Sequence, residues 1–110
     1  SMDRAHLRQI LWNLVGNARR HCSGGPQAVI ISARAHDEGR VEMDVSDDGP
    51  GVPDALRSQI FEPFFTTHSK GTGLGLYIAR ELAEANGAVL ELAPSGAGGA
   101  CFRLIGRARP

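Results

Sequence analysis

Residues 71–76 read GTGLGL, and YIARELAEANG follows at once. Few folds need a glycine at every second position directly ahead of a helix. Only glycine lets main-chain N–H groups approach an anion from unusual φ/ψ, and a helix N-terminus adds donors of its own. The stretch therefore points to a phosphate. Several unrelated nucleotide folds use such loops, so the rest of the chain has to choose among them. Two are excluded by the letters alone. The dinucleotide fingerprint G-x-G-x-x-G needs glycine where Leu76 stands, and a strand directly before it. The P-loop string G-x-x-x-x-G-K-[ST] does not occur.

At 110 residues there is room for one compact domain, and a hydrophobic fraction of 42% is ordinary for a soluble globular one. No apolar run approaches the roughly 20 residues of a membrane span, and no signal-peptide pattern is present. The 12 acids balance the 12 bases, which gives no electrostatic case for nucleic acid as a partner. Cys22 and Cys101 lack metal-ligand spacing and fit a reducing cytoplasm. The histidines at 6, 21, 36 and 68 are dispersed, and no Ser/His/Asp order or metal cluster is evident.

Helical spacing of Leu7, Ile10, Leu11, Leu14 and Ala18 predicts a helix from Asp3, its N-cap, to about His21. CSGGP stops it. AVIISARA (28–35) and RVEMDVSD (40–47) read as a hairpin of strands about the turn HDEG. DALRSQIF (54–61) reads as a short helix, EPFFTTHSKGTG as a loop, and 74–86 as a helix closed by Gly87. AVLELAP and ACFRLIGR complete the pattern as two more strands. Strands in hairpins imply an α+β fold: a two-layer α/β sandwich, its sheet mixed but mostly antiparallel, with the helices on one face.

Three constellations bear on chemistry. On a helical wheel Asn13, Asn17 and Arg20 stack a turn apart on one side, with His6 and Gln9, away from the apolar arc. Asparagine costs helix propensity, so two of them four residues apart are unexpected on a plain solvent face. Their carbonyl oxygens are hard, neutral ligands suited to Mg²⁺ carrying phosphates, and Arg20 offers a fork to phosphate oxygens. Taken alone, the helix fits a polar solvent face equally well. In VSDDGPGV (45–52), Asp47 shares the inward face of its strand with Val45. A half-buried carboxylate accepts only, so it matches the amino group of adenine and rejects the carbonyl of guanine; Gly49 and Gly51 would let the base lie against the backbone. The same string also fits a tight turn with a solvated Asp pair. The third is IFEPFFTTHSKGTGLGL (60–76), where Phe61 and Phe64 are candidate anchors for a polar lid. Lys70 stands ahead of the glycines, suitably placed for a phosphate. The segment 66–70 is expected to be poorly ordered without ligand.

Together NLVGNARRH, DDGPGVP, FEPFF and GTGLGL resemble, in order, the N, G1, F and G2 boxes of the ATP-binding domain of bacterial sensor histidine kinases. The resemblance runs from about Leu7 to Ile105, and the string from 61 to 88 looks most like sensor kinases of the nitrogen- and pilin-regulation type. It implies the Bergerat fold, with ATP and Mg²⁺ as cofactors and Asn13, Asn17 and Arg20 as the catalytic set. Asn17 would be the metal ligand, assisted by Asn13. His21 would lie against adenine and Asp47 would read it, beside Gly49, Gly51 and Val52. Thr67, Lys70, Gly71, Thr72, Gly73, Leu74, Gly75 and Leu76 would complete the nucleotide site. Hydrolysing members of the superfamily place a glutamate base where Asn13 stands, and an amide cannot act as one. The resemblance thus implies transfer of the γ-phosphoryl to a histidine on a phosphoacceptor and dimerisation domain, upstream of a response regulator. Ser1 and Met2 read as a vector scar, and 3–110 as a cytoplasmic catalytic domain excised from a membrane-anchored or soluble kinase, monomeric alone and homodimeric at full length. Departures are the missing phosphoacceptor sequence, the missing strand before the N box, and Ala100 where the family often has threonine. Two alternatives are a degenerate nucleotide-sensing module and a serine-directed kinase of the anti-sigma type.

Overall fold

The computed structural model describes residues 2–25, 28–65, 73–94 and 99–107. The first helix, α1, spans Arg4–His21. Asp3 caps it, its carboxylate accepting the His6 N–H at 3.0 Å and so satisfying one of the donors a helix start leaves open. Ile10, Leu14 and Ala18, spaced four apart, are buried along one line.

The strands β1 (Val29–Ala35) and β2 (Arg40–Asp47) form the expected hairpin, with Ile31 opposite Val45. The turn is tight because Glu38 and Gly39 both take positive φ, 64° and 75°. A second helix, α2 (Gly75–Ala85), ends where Gly87 and Ala88 donate to Glu84 and Ala83, the hydrogen-bond pair of a left-handed cap. β3 (Val89–Leu92) and β4 (Cys101–Arg107) follow. The sheet order is β1-β2-β4-β3, and all three pairings are antiparallel. Among the described residues the sheet is therefore antiparallel throughout rather than mixed, and β1 is an edge.

The strand period sorts the two faces. Val45, Phe102, Leu104 and Leu90 point to the helices and are buried. Each such side chain contributes about 1.5–3 kcal/mol relative to an exposed one. The opposite face carries an ion-pair lattice in which buried Glu42 meets Arg34 at 3.0 Å, His36 at 3.0 Å and Arg103 at 3.2 Å. The two helices run antiparallel, joined at one end by His6 with Asn86 and at the other by Asn13 with Gly75. Buried Ala79 and Ala83 let them approach closely.

The short helix expected over 54–61 is corrected to one 3₁₀ turn, Asp54–Leu56, followed by further turns. Most of its bonds run three residues back, as in Gln59 to Leu56 and Glu62 to Gln59, and a single one, Ile60 to Leu56, runs four. The segment has to bury adjacent residues, Ile60 and Phe61, and Arg57 reaches away to the Leu92 carbonyl at 2.8 Å. Phe61 is the aromatic anchor, edge-on to Phe102 at 5.9 Å and capped by the Arg80 guanidinium. Phe64 is not an anchor: it is exposed, with a φ of 68°. The candidate lid, 66–70, lies outside the described residues.

Candidate functional site

Between α1, the start of α2 and the ends of β2 and β4 lies a cavity of about 590 Å³. That volume is in the range of nucleotide-sized ligand sites. One wall is α1, with Asn13, Asn17, Arg20 and His21. Opposite stand Asp47, Gly51 and Val52, and Gly73, Gly75 and Leu76 close the end at α2. The face of α1 that the wheel left open between solvent and ligand is thus a cavity wall. Its polar residues stand there because α2 packs beside it and leaves the Asn13–Arg20 side uncovered.

Asp47 ends β2 and is 9% exposed. Its Oδ1 accepts the Gly49 N–H at 2.9 Å and the Ala100 N–H at 3.4 Å. Its Oδ2 is buried and has no hydrogen-bond partner among the described residues. A buried carboxylate oxygen without a donor costs of the order of 1–3 kcal/mol or more, so this atom calls for a donor from a water, an ion or a ligand in the cavity. Asp48, the next residue, does something else. It turns out to the α1–β1 loop, where its carboxylate takes the Ser23 hydroxyl at 2.6 Å and the Ser23 N–H at 2.8 Å. Those bonds hold its carboxyl below the usual aspartate range. The adjacent acids are therefore neither a solvated pair nor a double ligand.

The amides of α1 also divide. Asn13 accepts from Gln9 Nε2 at 2.9 Å and donates to the Gly75 carbonyl at 3.1 Å, so it pins α1 to the first residue of α2. The Asn17 side chain has no hydrogen bond among the described residues, nor does the exposed Arg20 guanidinium. His21 Nδ1 donates to the Asn17 carbonyl at 2.8 Å; a carbonyl can only accept, so Nδ1 carries the proton and the ring is fixed beside the cavity.

The glycines do different work from one another. A Cβ on Gly49 would collide with the His21 carbonyl, so Gly49 sits behind the cavity wall and lets the loop after β2 close against the end of α1. Gly73 has φ 77°, and a Cβ there would strike the Phe64 backbone, whose N–H bonds the Gly73 carbonyl at 2.7 Å. Gly75 has open space where a Cβ would go. Leu74 precedes α2 without lining the cavity. Thr67, Lys70, Gly71 and Thr72 lie outside the described residues.

Sequence reasoning did not find Trp12, Gly16, Ile60, Phe65, Ala100 and Phe102, which also line the cavity. Trp12 and Gly16 were within its reach, since they follow Asn13 around the same side of the wheel. The apolar floor from Ile60, Phe65 and Phe102 was not, because it forms only when the irregular 54–65 segment folds onto β4. No cluster of three or more His, Cys, Asp or Glu is placed to hold a metal ion among the described residues.

Residues 2–108 match the family described as histidine kinase-, DNA gyrase B-, and HSP90-like ATPase. The chain is 46% identical over 106 residues to the sensor protein kinase PilS of Pseudomonas aeruginosa, a match that covers 94% of this chain and 20% of PilS. Among solved structures it is similar to full-length ShkA in complex with AMPPNP, at 38% identity and a TM-score of 0.79, over 96% of this chain and 22% of that one. It is also similar to the nucleotide-free catalytic domain of the histidine kinase ThkA, at 34% identity and a TM-score of 0.82, over 96% of this chain and 68% of that one. The chain thus spans about a fifth of PilS. A cavity walled by amides on one side and a buried carboxylate on the other, in a fold shared with these kinases over almost every residue, makes this chain a member of the histidine kinase-, DNA gyrase B- and HSP90-like ATPase family.

Proposed function

We propose that this chain binds ATP with Mg²⁺ in the cavity and transfers the γ-phosphoryl to a histidine on a phosphoacceptor domain, as the catalytic part of a two-component sensor kinase. The observation that carries the reading is Asp47. With Oδ1 held by Gly49 and Ala100, the buried Oδ2 is left as an acceptor aimed at a donor. The exocyclic amino group of adenine supplies that donor, and the guanine carbonyl does not. His21 would flank the base and Arg20 would meet phosphate oxygens, with Gly73, Gly75 and Leu76 along the phosphate path. Thr67, Lys70, Gly71 and Thr72 would complete the phosphate side.

The metal fits the donor set. Asn17 presents a neutral, hard amide oxygen free of other bonds, and Mg²⁺ takes few protein ligands, filling the rest of its shell from water and phosphate. Its contribution there would be to neutralise charge on the phosphates. Asn13 would act by position, holding the start of α2 through Gly75, while its oxygen, which accepts from Gln9, has a second lone pair to offer. Asp47 is the only carboxylate along the described lining, and it is engaged at the base end. Among the described lining residues no carboxylate therefore stands by Asn13 to activate water as a base, which supports transfer over hydrolysis.

In this reading 3–110 is one cytoplasmic domain of a longer homodimeric kinase that serves a response regulator. The test supplies γ-labelled ATP, Mg²⁺ and a separately expressed phosphoacceptor domain. Acid-labile, base-stable label on that domain is the expected result. Absence of label with nucleotide binding intact would leave a nucleotide-sensing module instead.

A further inference from the structure

Helix α1 contains four arginines, at 4, 8, 19 and 20, and no acidic residue, in a chain whose net charge is zero. Arg20 belongs to the cavity. The other three lie with Trp12 on the outer side of the helix: Arg4, Arg8 and Trp12 recur every four residues, and Arg19 is seven beyond Trp12. All four are exposed, and the indole is 77% exposed. None of these arginines enters an ion pair or hydrogen bond among the described residues; off this helix Arg34, Arg80 and Arg103 are paired with carboxylates and Arg57 and Arg107 bond carbonyls, and Arg40 at the start of β2 alone shares their lack of a partner among the described residues.

Helix physics does not account for this pattern. Cations near a C-terminus complement the macrodipole, which explains Arg19, but Arg4 in the first turn opposes it and Arg8, a turn further on, gains nothing from it. An indole in water is the costliest side chain to leave uncovered, and tryptophan and arginine are the residues most enriched where binding energy concentrates. Trp12 also borders the nucleotide cavity beside Asn13 and Gly16, so whatever covers it sits at the cavity mouth. The stripe from Arg4 to Arg19 is about 22 Å long and one helix wide. The neighbouring α2 bears exposed Glu81 and Glu84. A narrow anionic ridge fits such a stripe better than a membrane or a nucleic-acid duplex, each of which would spread over the acids as well.

The structure assigns this stripe, we infer, as the docking surface for an acidic helix of the phosphoacceptor domain, laid across Trp12 with carboxylates towards Arg4, Arg8 and Arg19. The inference rests on the kinase reading above and adds to it the surface and charge by which the acceptor is held at the cavity mouth.

Trp12 is the only tryptophan, so its emission reports occupancy directly. The chain loaded with ADP and Mg²⁺ is titrated with the separately expressed phosphoacceptor domain, and transfer kinetics are measured in parallel. The emission should shift to the blue as the domain is added. Arg4→Glu with Arg8→Glu should raise the KM for the domain at least about tenfold, by turning attraction into like-charge repulsion. Nucleotide affinity and kcat at saturation should stay as in the wild type. The same pair changed to lysine should keep the wild-type KM. Raising salt should weaken wild-type docking more than that of the Glu variant. Normal transfer with an unmoved Trp12 emission and an unchanged KM in the Glu variant would overturn the docking surface and leave the kinase standing. Anionic vesicles or duplex DNA shifting the emission as strongly as the domain would overturn the choice of partner. No transfer by the wild type would overturn both readings together.

Discussion

At the scale of single residues, the two oxygens of Asp47 make a sharp prediction. Asp47→Asn keeps the shape and changes which groups face the cavity. The Gly49 and Ala100 N–H groups at Oδ1 will hold the asparagine carbonyl in that place, because they can only donate. The amide NH₂ then occupies the Oδ2 position and, on the proposed reading, would meet the adenine amino group donor to donor. ATP affinity should fall by about 10- to 100-fold, the cost of an unmatched buried donor. GTP, with a carbonyl at the corresponding position, should lose less or gain. Calorimetry with both nucleotides measures the two changes, and an equal loss for each would mean that Asp47 does not face the base. Much of this was legible in VSDDGPGV, since the two-residue strand period put Asp47 on the face of Val45. That Asp48 ties down Ser23 was not legible, because the partner lies 25 positions away. Gly49 was likewise read as room for a base, while its reason is the approach of the His21 carbonyl.

At the scale of elements, local periodicity was a good guide wherever one face is buried. α1 and the β1–β2 hairpin follow their patterns almost to the residue. DALRSQIF misled because three-residue turns and an α-helix share short-range signals, and the choice was settled by Arg57 reaching β3. The outer face of the sheet was silent in sequence, since Arg34, Glu42 and Arg103 meet only through strand register. Burial acts to raise the Glu42 carboxyl, but hydrogen bonds shared with Asp44, Arg34 and His36, and the Arg103 charge, together hold it below the ordinary glutamate value. A carboxyl depressed in the fold stabilises the fold above its unfolded pKa, and that contribution is lost as pH falls through the folded value. Glu42→Gln should therefore lower Tm at neutral pH, and the gap to the wild type should close as the solution is acidified below the ordinary glutamate range. Thermal melts of both proteins across that window measure the gap. A gap independent of pH would assign Glu42 a packing role only.

At the scale of the whole molecule, cavity and core are one structure. Phe102 is buried in the core and also forms the cavity floor, and Asn13 joins both helices at the cavity end. A nucleotide held there touches both layers of the sandwich, so it has to be released before either layer can come apart. Ligand that binds only the folded state adds about 2.7 kcal/mol at one hundred times its Kd. For a domain of this size, that is a rise in Tm of about 10–20 °C. The metal separates the contributions of the two walls. On the proposed reading, ATP with a chelator would keep its hold on Asp47 and lose the bridge to Asn17, so it should give a smaller rise than ATP with Mg²⁺ at the same concentration. Asn17→Ala should abolish the increment that Mg²⁺ adds while leaving the rise with chelated ATP unchanged, because its amide makes no bond that the fold depends on. Melts in the four combinations decide the matter. If Mg²⁺ adds the same increment to Asn17→Ala as to the wild type, the metal is held elsewhere and α1 contributes only a polar wall.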